Sequence, residues 1–434
     1  MTEGFIGPEE IVNKKKEFII PCLNHFYQEP VQFVRGRGQY LYDSDGRQYL
    51  DFFAGVSVIN AGHCHPEITA RICAQVQALQ HVCNIYLTQP MVELAERLAG
   101  ITPGRLQKSF FCNSGSEANE GAVLLARLAT GRSELLALQD GLHGRTYLGM
   151  SLNGLSMWRT DPNPAGGISF APNAYCYRCP LRLTYPNCDL ACADEIGRVI
   201  EVSTSGGVAA LIAEAVQGNG GIIVPPPEYF SRVKEILNRY GALLIIDEVQ
   251  SGFGRTGKWF AIEHWGVAPE IMTVAKALGN GVPIGAFIAV PEVADRYTRP
   301  GASTLGGNPV SMTAGLATLD VIAREGLAEN AARLGAYLKE QLLALQQKHP
   351  LIGDVRGLGL MLGTELVRDG KEPAAAEADR VLELMKNRGV LIGKNGRSRN
   401  VLAFQPPLVI TGSDAEAMLH HLDEVLTEVE QGPR

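Results

Sequence analysis

One lysine, one acidic pair and one run of small residues stand out as chemistry in this 434-residue chain. Lys276 sits inside MTVAKALGNGVPIGA (272–286), a stretch too apolar and glycine-rich to be ordinary surface. A lysine there either snorkels to water or serves as an amine, its pKa lowered by burial until it attacks a carbonyl. Asp247 and Glu248 close the apolar run ALLIIDEV (242–249). A carboxylate in such a place is costly unless paired or wet. Asp247 can hold a protonated ring nitrogen, or both acids merely open the turn. Asn113-Ser114-Gly115-Ser116 precedes a helical pattern, with Glu117 and Glu120 suited to its first turn. Small residues let backbone N–H groups reach outward, and a helix N-terminus favours an anion, so Gly115 and Ser116 suit a phosphate. An ordinary serine N-cap accounts for the same letters.

The elements that must position these groups follow from periodicity. LQKSFFC (106–112), ELLALQD (134–140), VAALIAEAV (208–216), ALLIIDEV (242–249), EIMTVAK (270–276) and GAFIAV (285–290) read as strands. SEANEGAVLLARLAT (116–130) and YFSRVKEILNRYG (229–241) read as helices, the second stopping at Gly241. Fully apolar strands alternating with helices predict a mostly parallel sheet covered on both faces. Open parallel sheets build their sites in loops after strands, where all three chemical stretches fall. The last third reads differently, with long amphipathic helices at 308–326, 330–349 and 376–388. Between and after them lie VRGLGLMLGTEL (355–366), VLIGK (390–394), VLAFQPPLVIT (401–411) and a final helix from Asp414. QFVRGRGQYLYDSDGRQYLDF (32–52), with DSDGR as a hairpin turn, is expected to join that α+β module. The expected division is an N-terminal segment (1–60) joining the small domain, a large domain (61–310) and a C-terminal small domain (311–434).

A net charge of −7 and no basic run give no electrostatic support for a nucleic-acid or anionic-membrane partner. No apolar stretch approaches the roughly 18 residues of a membrane span. MTEGFIGPEE lacks the regions of a secretion signal, so a cytoplasmic protein is expected. Of nine cysteines, four cluster in CYRCPLRLTYPNCDLAC, at Cys176, Cys179, Cys188 and Cys192. That spacing has a faint look of a tetrahedral zinc site. Its prolines and single C-x2-C pair favour a loop with buried thiols or a redox-formed disulfide. GHCHP (62–66) likewise has a metal look through His63, Cys64 and His65. No metal is expected at either.

A phosphate cup, a carboxylate for a pyridinium and a lysine amine are together the parts that pyridoxal 5′-phosphate requires. From about Gln32 to PPLVIT the chain resembles the fold-type-I, pyridoxal-phosphate-dependent class III aminotransferases. The matching stretches are YLYDSDGRQYLDF, GHCHPEI, NSGSEANE, HGRT (143–146), EAVQGNGG (214–221), DEVQSGFGRTGK, AKALGNGVPIGA, STLGGNPVS (303–311), VRGLGLMLG and QPPLVIT. By that resemblance, Lys276 carries the cofactor as a Schiff base and later moves the substrate proton, while Asp247 keeps the pyridine nitrogen protonated. Gly115 and Ser116 bind the phosphate, Val249 packs under the ring, and Gln250 reaches its phenolic oxygen. Leu142, His143 and Glu214 lie in further cofactor-binding motifs. Thr304 adds a phosphate contact from a neighbouring subunit, implying a homodimer (possibly a tetramer) with interfacial active sites.

Five positions, in four motifs, depart from the family pattern. Leu142 stands where an aromatic residue usually stacks, Leu305 replaces an aromatic, and EAVQGNGG has Ala215 for proline and Asn219 for a second glutamate. Ala403 stands where an arginine usually precedes the double proline. In many relatives that glutamate and arginine form a switchable pair that grips a substrate α-carboxylate. With both missing, the clamp is absent or moved, to Arg255, Arg178, Arg182 or Lys394. The expected donor is then a terminal amine or ω-amino acid (or alanine), and the acceptor a small 2-oxo acid such as pyruvate or glyoxylate. Walls of the substrate pocket are expected around Tyr27, Val56, Ser57 and Tyr86. The alternative is a phospho-lyase acting on phosphoethanolamine-like amino-alcohol phosphates, which needs no such clamp.

Overall fold

Seven strands form the central sheet of the computed structural model, which describes residues 4–432. Their spatial order is Lys108–Cys112, Gly285–Ala289, Ile271–Val274, Leu243–Asp247, Val208–Glu214, Glu134–Leu138 and Ile168–Ala171. Gly285–Ala289 runs antiparallel to both neighbours, and every other adjacent pair is parallel. Every residue of Val208–Glu214 is buried, which is why no polar alternation marked it in the sequence. Val208, Leu211 and Ile212, fully buried there, each contribute about 1.5–3 kcal/mol.

Helix Gly115–Thr130 lies across Ile271–Val274 and Gly285–Ala289. Its Ser114 side chain accepts the Glu117 N–H at 3.2 Å, and it ends at Gly131, whose φ is 69°. Gly121 lets it sit low on the sheet, because a Cβ there would be 2.3 Å from Phe287 Cε1. A four-stranded sheet joins Phe33–Arg37, Tyr40–Asp43 and Gln48–Asp51 to Val390–Leu391, the last two in parallel. Its DSDGR turn is closed by Asp43 Oδ1, which accepts the Asp45 and Arg47 N–H groups at 3.0 and 2.9 Å. A third, antiparallel sheet holds Ile352–Leu358, Met361–Leu366, Val401–Phe404 and Gly393–Asn395.

Several boundaries differ from the sequence reading, each for a local reason. The strand expected over 270–276 ends at Val274, and Lys276 opens a 3-10 turn with φ of 38°. The run 401–411 is a strand only to Phe404, because Pro406 and Pro407 have no N–H to give a ladder. VLIGK splits between two sheets. The final helix begins at Gly412 because Asp414 is its third residue, capping Thr411 N–H at 2.8 Å. Helices Pro66–Ala78, Gln89–Ile101 and Ala191–Ser203, and strand Ile168–Ala171, add to the elements expected from periodicity. No helix among the described residues is long and apolar enough to cross a membrane.

Candidate active site

The parallel strands and Lys108–Cys112 all end at one edge of the sheet. There Asp247 closes its strand, Glu214 closes the next, Lys276 follows a third, and loops after Leu138 and Cys112 bring Leu142–Arg145 and Asn113–Ser116. These residues line a cavity of about 420 Å³, within the ordinary range for small-molecule sites.

Asp247 is 3% exposed, and three donors converge on it. Its Oδ1 accepts the Val249 N–H at 3.0 Å. Its Oδ2 accepts Asn119 Nδ2 at 2.8 Å and is 2.9 Å from His143 Nδ1. Against a carboxylate acceptor, His143 carries its proton on Nδ1. Asn119 is itself fixed: Thr273 donates to its Oδ1 at 2.6 Å, and its Nδ2 also donates to the His143 carbonyl at 2.7 Å. Glu248, one residue on, turns the other way, as alternation along an extended chain requires. It accepts Ser251 Oγ at 2.6 Å and the Ile262 N–H at 2.8 Å, and takes no part in the cavity.

Lys276 opens onto the cavity and its amine makes no hydrogen bond among the described residues. Burial holds its pKa below the ordinary lysine value, with the Asp247 and Glu214 carboxylates opposing the shift. A non-glycine residue at φ 38° is strained, and such strain concentrates where a side chain must be aimed. At the other end of the cavity, the Gly115 and Ser116 N–H groups at the helix start have no acceptor among the described residues, as first-turn donors do not. A Cβ on Gly115 would lie 2.7 Å from Val249 Cγ1, so glycine lets that side chain close against the turn. Ser116 Oγ accepts the Arg145 N–H at 3.1 Å. Glu214 ties two loops together, Oε1 accepting the Leu142 N–H at 2.8 Å and Oε2 the Gly218 N–H at 2.9 Å. Burial pushes its carboxyl up to about 7, with His143 opposing.

Residues 24–426 match the family model described as aminotransferase class-III. The chain is 43% identical to an Arabidopsis thaliana protein named alanine–glyoxylate aminotransferase 2 homolog 2, mitochondrial, over 98% of this chain and 89% of that one. It is 40% identical to a Thermococcus litoralis leucine/methionine racemase, over 98% and 96%. It superposes with a TM-score of 0.89, at 32% identity, on an amine transaminase from an uncultivated Pseudomonas species in its PLP-bound form, covering 95% and 98% of the two chains. The chain belongs to the class III aminotransferases.

The aminotransferase's cavity fits its cofactor, pyridoxal phosphate, on its own chemistry. It offers a desolvated amine, two free helix-start donors some way along the same wall, a carboxylate already oriented by three donors, and a buried His143 Nε2 without a partner. Leu142, Val249 and Gln250 also line it. Thr304, expected to reach a neighbouring subunit, is exposed and does not line its own chain's cavity. Nor do Tyr27, Val56, Tyr86, Asn219 or Ala403. Val58 takes the place expected of Val56, whose φ of 68° sits in an irregular turn. Tyr86 is 63% exposed, and Ala403 is buried in a strand between Gly363 and Gly393.

The cations expected to replace the missing arginine are also elsewhere. Arg255 is wholly buried, held by the Leu360 and Pro406 carbonyls and Asn60 Oδ1, and desolvation pulls it down to about 9. Arg178 pairs with Glu365 and Lys394 with Asp379, while Arg182 is exposed on the cysteine loop. The cation that does line the cavity besides Lys276 is Arg145, exposed and without an acidic partner among the described residues. It lay inside the quoted HGRT motif, but an arginine beside glycine carries no periodic signal. Asn119 had a signal: it is a lone amide on a helix face otherwise buried through Ala118, Ala122, Val123 and Ala126. The nine cysteines are free, and the clustered four line a small apolar cavity away from this site. His63 instead bonds Asp51 at 2.8 Å and His65 Glu325 at 3.2 Å.

Glu248 yields a stability prediction. Burial raises its carboxyl from 4.5 to about 7, roughly 3 kcal/mol of cost once it must ionise. A raised folded-state pKa favours the fold below 4.5 and loses that advantage as pH rises through about 7. Glutamine preserves both bonds, accepting from Ile262 and donating to Ser251. E248Q should therefore unfold at higher temperature than the parent at about pH 8.5, the gap narrowing toward about pH 5. Differential scanning calorimetry across pH checks this; a gap independent of pH would contradict it.

Proposed function

We propose that this aminotransferase moves an amino group from a terminal amine or ω-amino acid (or alanine) to a small 2-oxo acid such as pyruvate or glyoxylate. Arg145 carries this reading. Among the described residues it is an unpaired guanidinium at a cavity whose other cation is the reactive lysine, so it suits a carboxylate held away from the reacting carbon.

Bound in this cavity, pyridoxal phosphate supplies an electrophilic carbon and a ring that takes up the electron pair released at the substrate carbon. The chain's residues do the rest. Gly115 and Ser116 donate backbone N–H groups to the phosphate. Asp247, held by Asn119, His143 and Val249, keeps a proton on the ring nitrogen. Leu142 and Val249 present aliphatic surface to the ring and exclude water. Gln250 donates to the ring oxygen. Lys276, desolvated and with a neutral amine available below the ordinary lysine range, would hold the group through its carbonyl carbon, with water released, and its Nζ would carry the substrate proton. Glu214 positions Leu142 and Gly218 through its two oxygens.

Thr304 reaches the phosphate of a neighbouring copy in a homodimer. Leu87, Ile20, Phe18 and Ile85 are 97%, 75%, 72% and 70% exposed, apolar surface that supports such pairing.

A donor–acceptor panel on the purified enzyme tests the substrate class. Terminal amines and ω-amino acids with pyruvate or glyoxylate should outpace glutamate with 2-oxoglutarate, and a strong preference for glutamate would contradict the proposal. Phosphate release from phosphoethanolamine would move the reading to a phospho-lyase. R145A should raise KM for donors bearing a distal carboxylate by roughly 10–100-fold, the loss of one charge-assisted contact. It should leave a simple monoamine nearly unchanged; equal losses for both donors would remove Arg145 from this role.

A further inference from the structure

Gln405 follows strand Val401–Phe404, and its N–H donates to the Phe52 carbonyl at 2.7 Å. Its side chain is wholly buried. Its Oε1 accepts Gln250 Nε2 at 3.3 Å, and its own Nε2 has no acceptor among the described residues. A buried amide donor left unpaired costs about 1–3 kcal/mol, so packing alone would favour an apolar residue. On its other side, Gln250 is stopped by Gly218, where a Cβ would lie 2.0 Å from Gln250 Oε1. Gly218 cannot drift. Its N–H is held by Glu214 at 2.9 Å, and its carbonyl accepts Asn395 Nδ2 at 3.0 Å. Gln250 is thus gripped with its carbonyl end on Gly218 and its nitrogen end on Gln405. One Nε2 hydrogen goes to Gln405 and the other remains for the cavity that Gln250 lines.

We propose that Gln405 is a positioning residue, which fixes Gln250 as a hydrogen-bond donor toward an oxyanion in the cavity. This rests on the reading that Gln250 faces the ring oxygen of bound pyridoxal phosphate. A donor on that oxygen stabilises its negative charge and weakens its hold on the neighbouring proton at the Lys276 linkage. Without the Gln405 acceptor, the Gln250 amide is free to turn, and the proton is held to higher pH.

The test is a pH titration of the visible absorption of the holoenzyme, with Q405M, Q250M and the double variant. Methionine keeps volume and removes the amide. Q405M should move the midpoint upward by about one pH unit, as for one hydrogen bond of about 1 kcal/mol. Because Gln405 acts through Gln250, the double variant should move it no further than Q250M alone. Additive shifts, or a lowered melting temperature with an unmoved midpoint, would overturn the proposal and leave Gln405 a packing residue. A parent enzyme showing no titrating band with added cofactor, by contrast, overturns the reading of the cavity itself.

Discussion

K276A should lose at least roughly 10³-fold in turnover while folding as the parent does, since the proposed mechanism uses this one amine as both nucleophile and proton carrier. The amine makes no hydrogen bond among the described residues, and its charge is disfavoured by burial. Removing it therefore takes little from the fold. Lys276 is also held at φ 38°, where neither lysine nor alanine is comfortable, so the backbone cost is shared by both. K276R should be as inactive as K276A. A guanidinium keeps the charge but stays protonated and cannot attack a carbonyl. Rates, circular dichroism and melting temperatures check this. A variant within tenfold of the parent would mean that another amine performs the chemistry.

D247N should cost roughly 10²–10³-fold in kcat, the range for removing one preorganised charge opposite a reacting group. The substitution is nearly isosteric, yet the site cannot accommodate it. Three donors reach the two Asp247 oxygens, from Val249, Asn119 and His143. An asparagine offers one oxygen, so at least one buried donor loses its acceptor at about 1–3 kcal/mol. Its own NH₂ then faces another donor, and the charge proposed to face the ring nitrogen is gone. A melting-temperature drop should accompany the kinetic loss. N119A should give a smaller loss in the same direction, because it removes one of the three bonds and leaves the charge. A D247N variant within about fivefold of the parent would show that the ring nitrogen does not depend on this carboxylate.

The central sheet was legible because its strands are buried on both faces and read as plain apolar runs, Val208–Glu214 most clearly. The strand-end chemistry was legible for a related reason. An acid or a lysine at the end of such a run stands out against its surroundings, as Asp247 and Lys276 do. Which of two adjacent acids faces the cavity comes only from the family resemblance, which names Asp247. Asp247 and Glu248 are equivalent in a string of letters, and only the pleat of the chain separates them. The letters show the missing arginine at Ala403, but they point for its replacement to Arg255, Arg178, Arg182 and Lys394. Each of these is satisfied or exposed elsewhere through contacts far off in sequence, such as Arg178 with Glu365. Arg145 is a neighbour of Ser116 only through the fold, its N–H meeting Ser116 Oγ across 29 positions. Val58 in place of Val56 is a matter of two residues in a turn of left-handed backbone, which no periodicity reports.

Reduction of the cofactor-loaded enzyme with borohydride, followed by peptide mapping, probes the amine assignment directly. The pyridoxyl mass should appear once per chain, on the peptide carrying Lys276, and disappear in K276A. A label on a different lysine, or an unlabelled chain, would contradict the account.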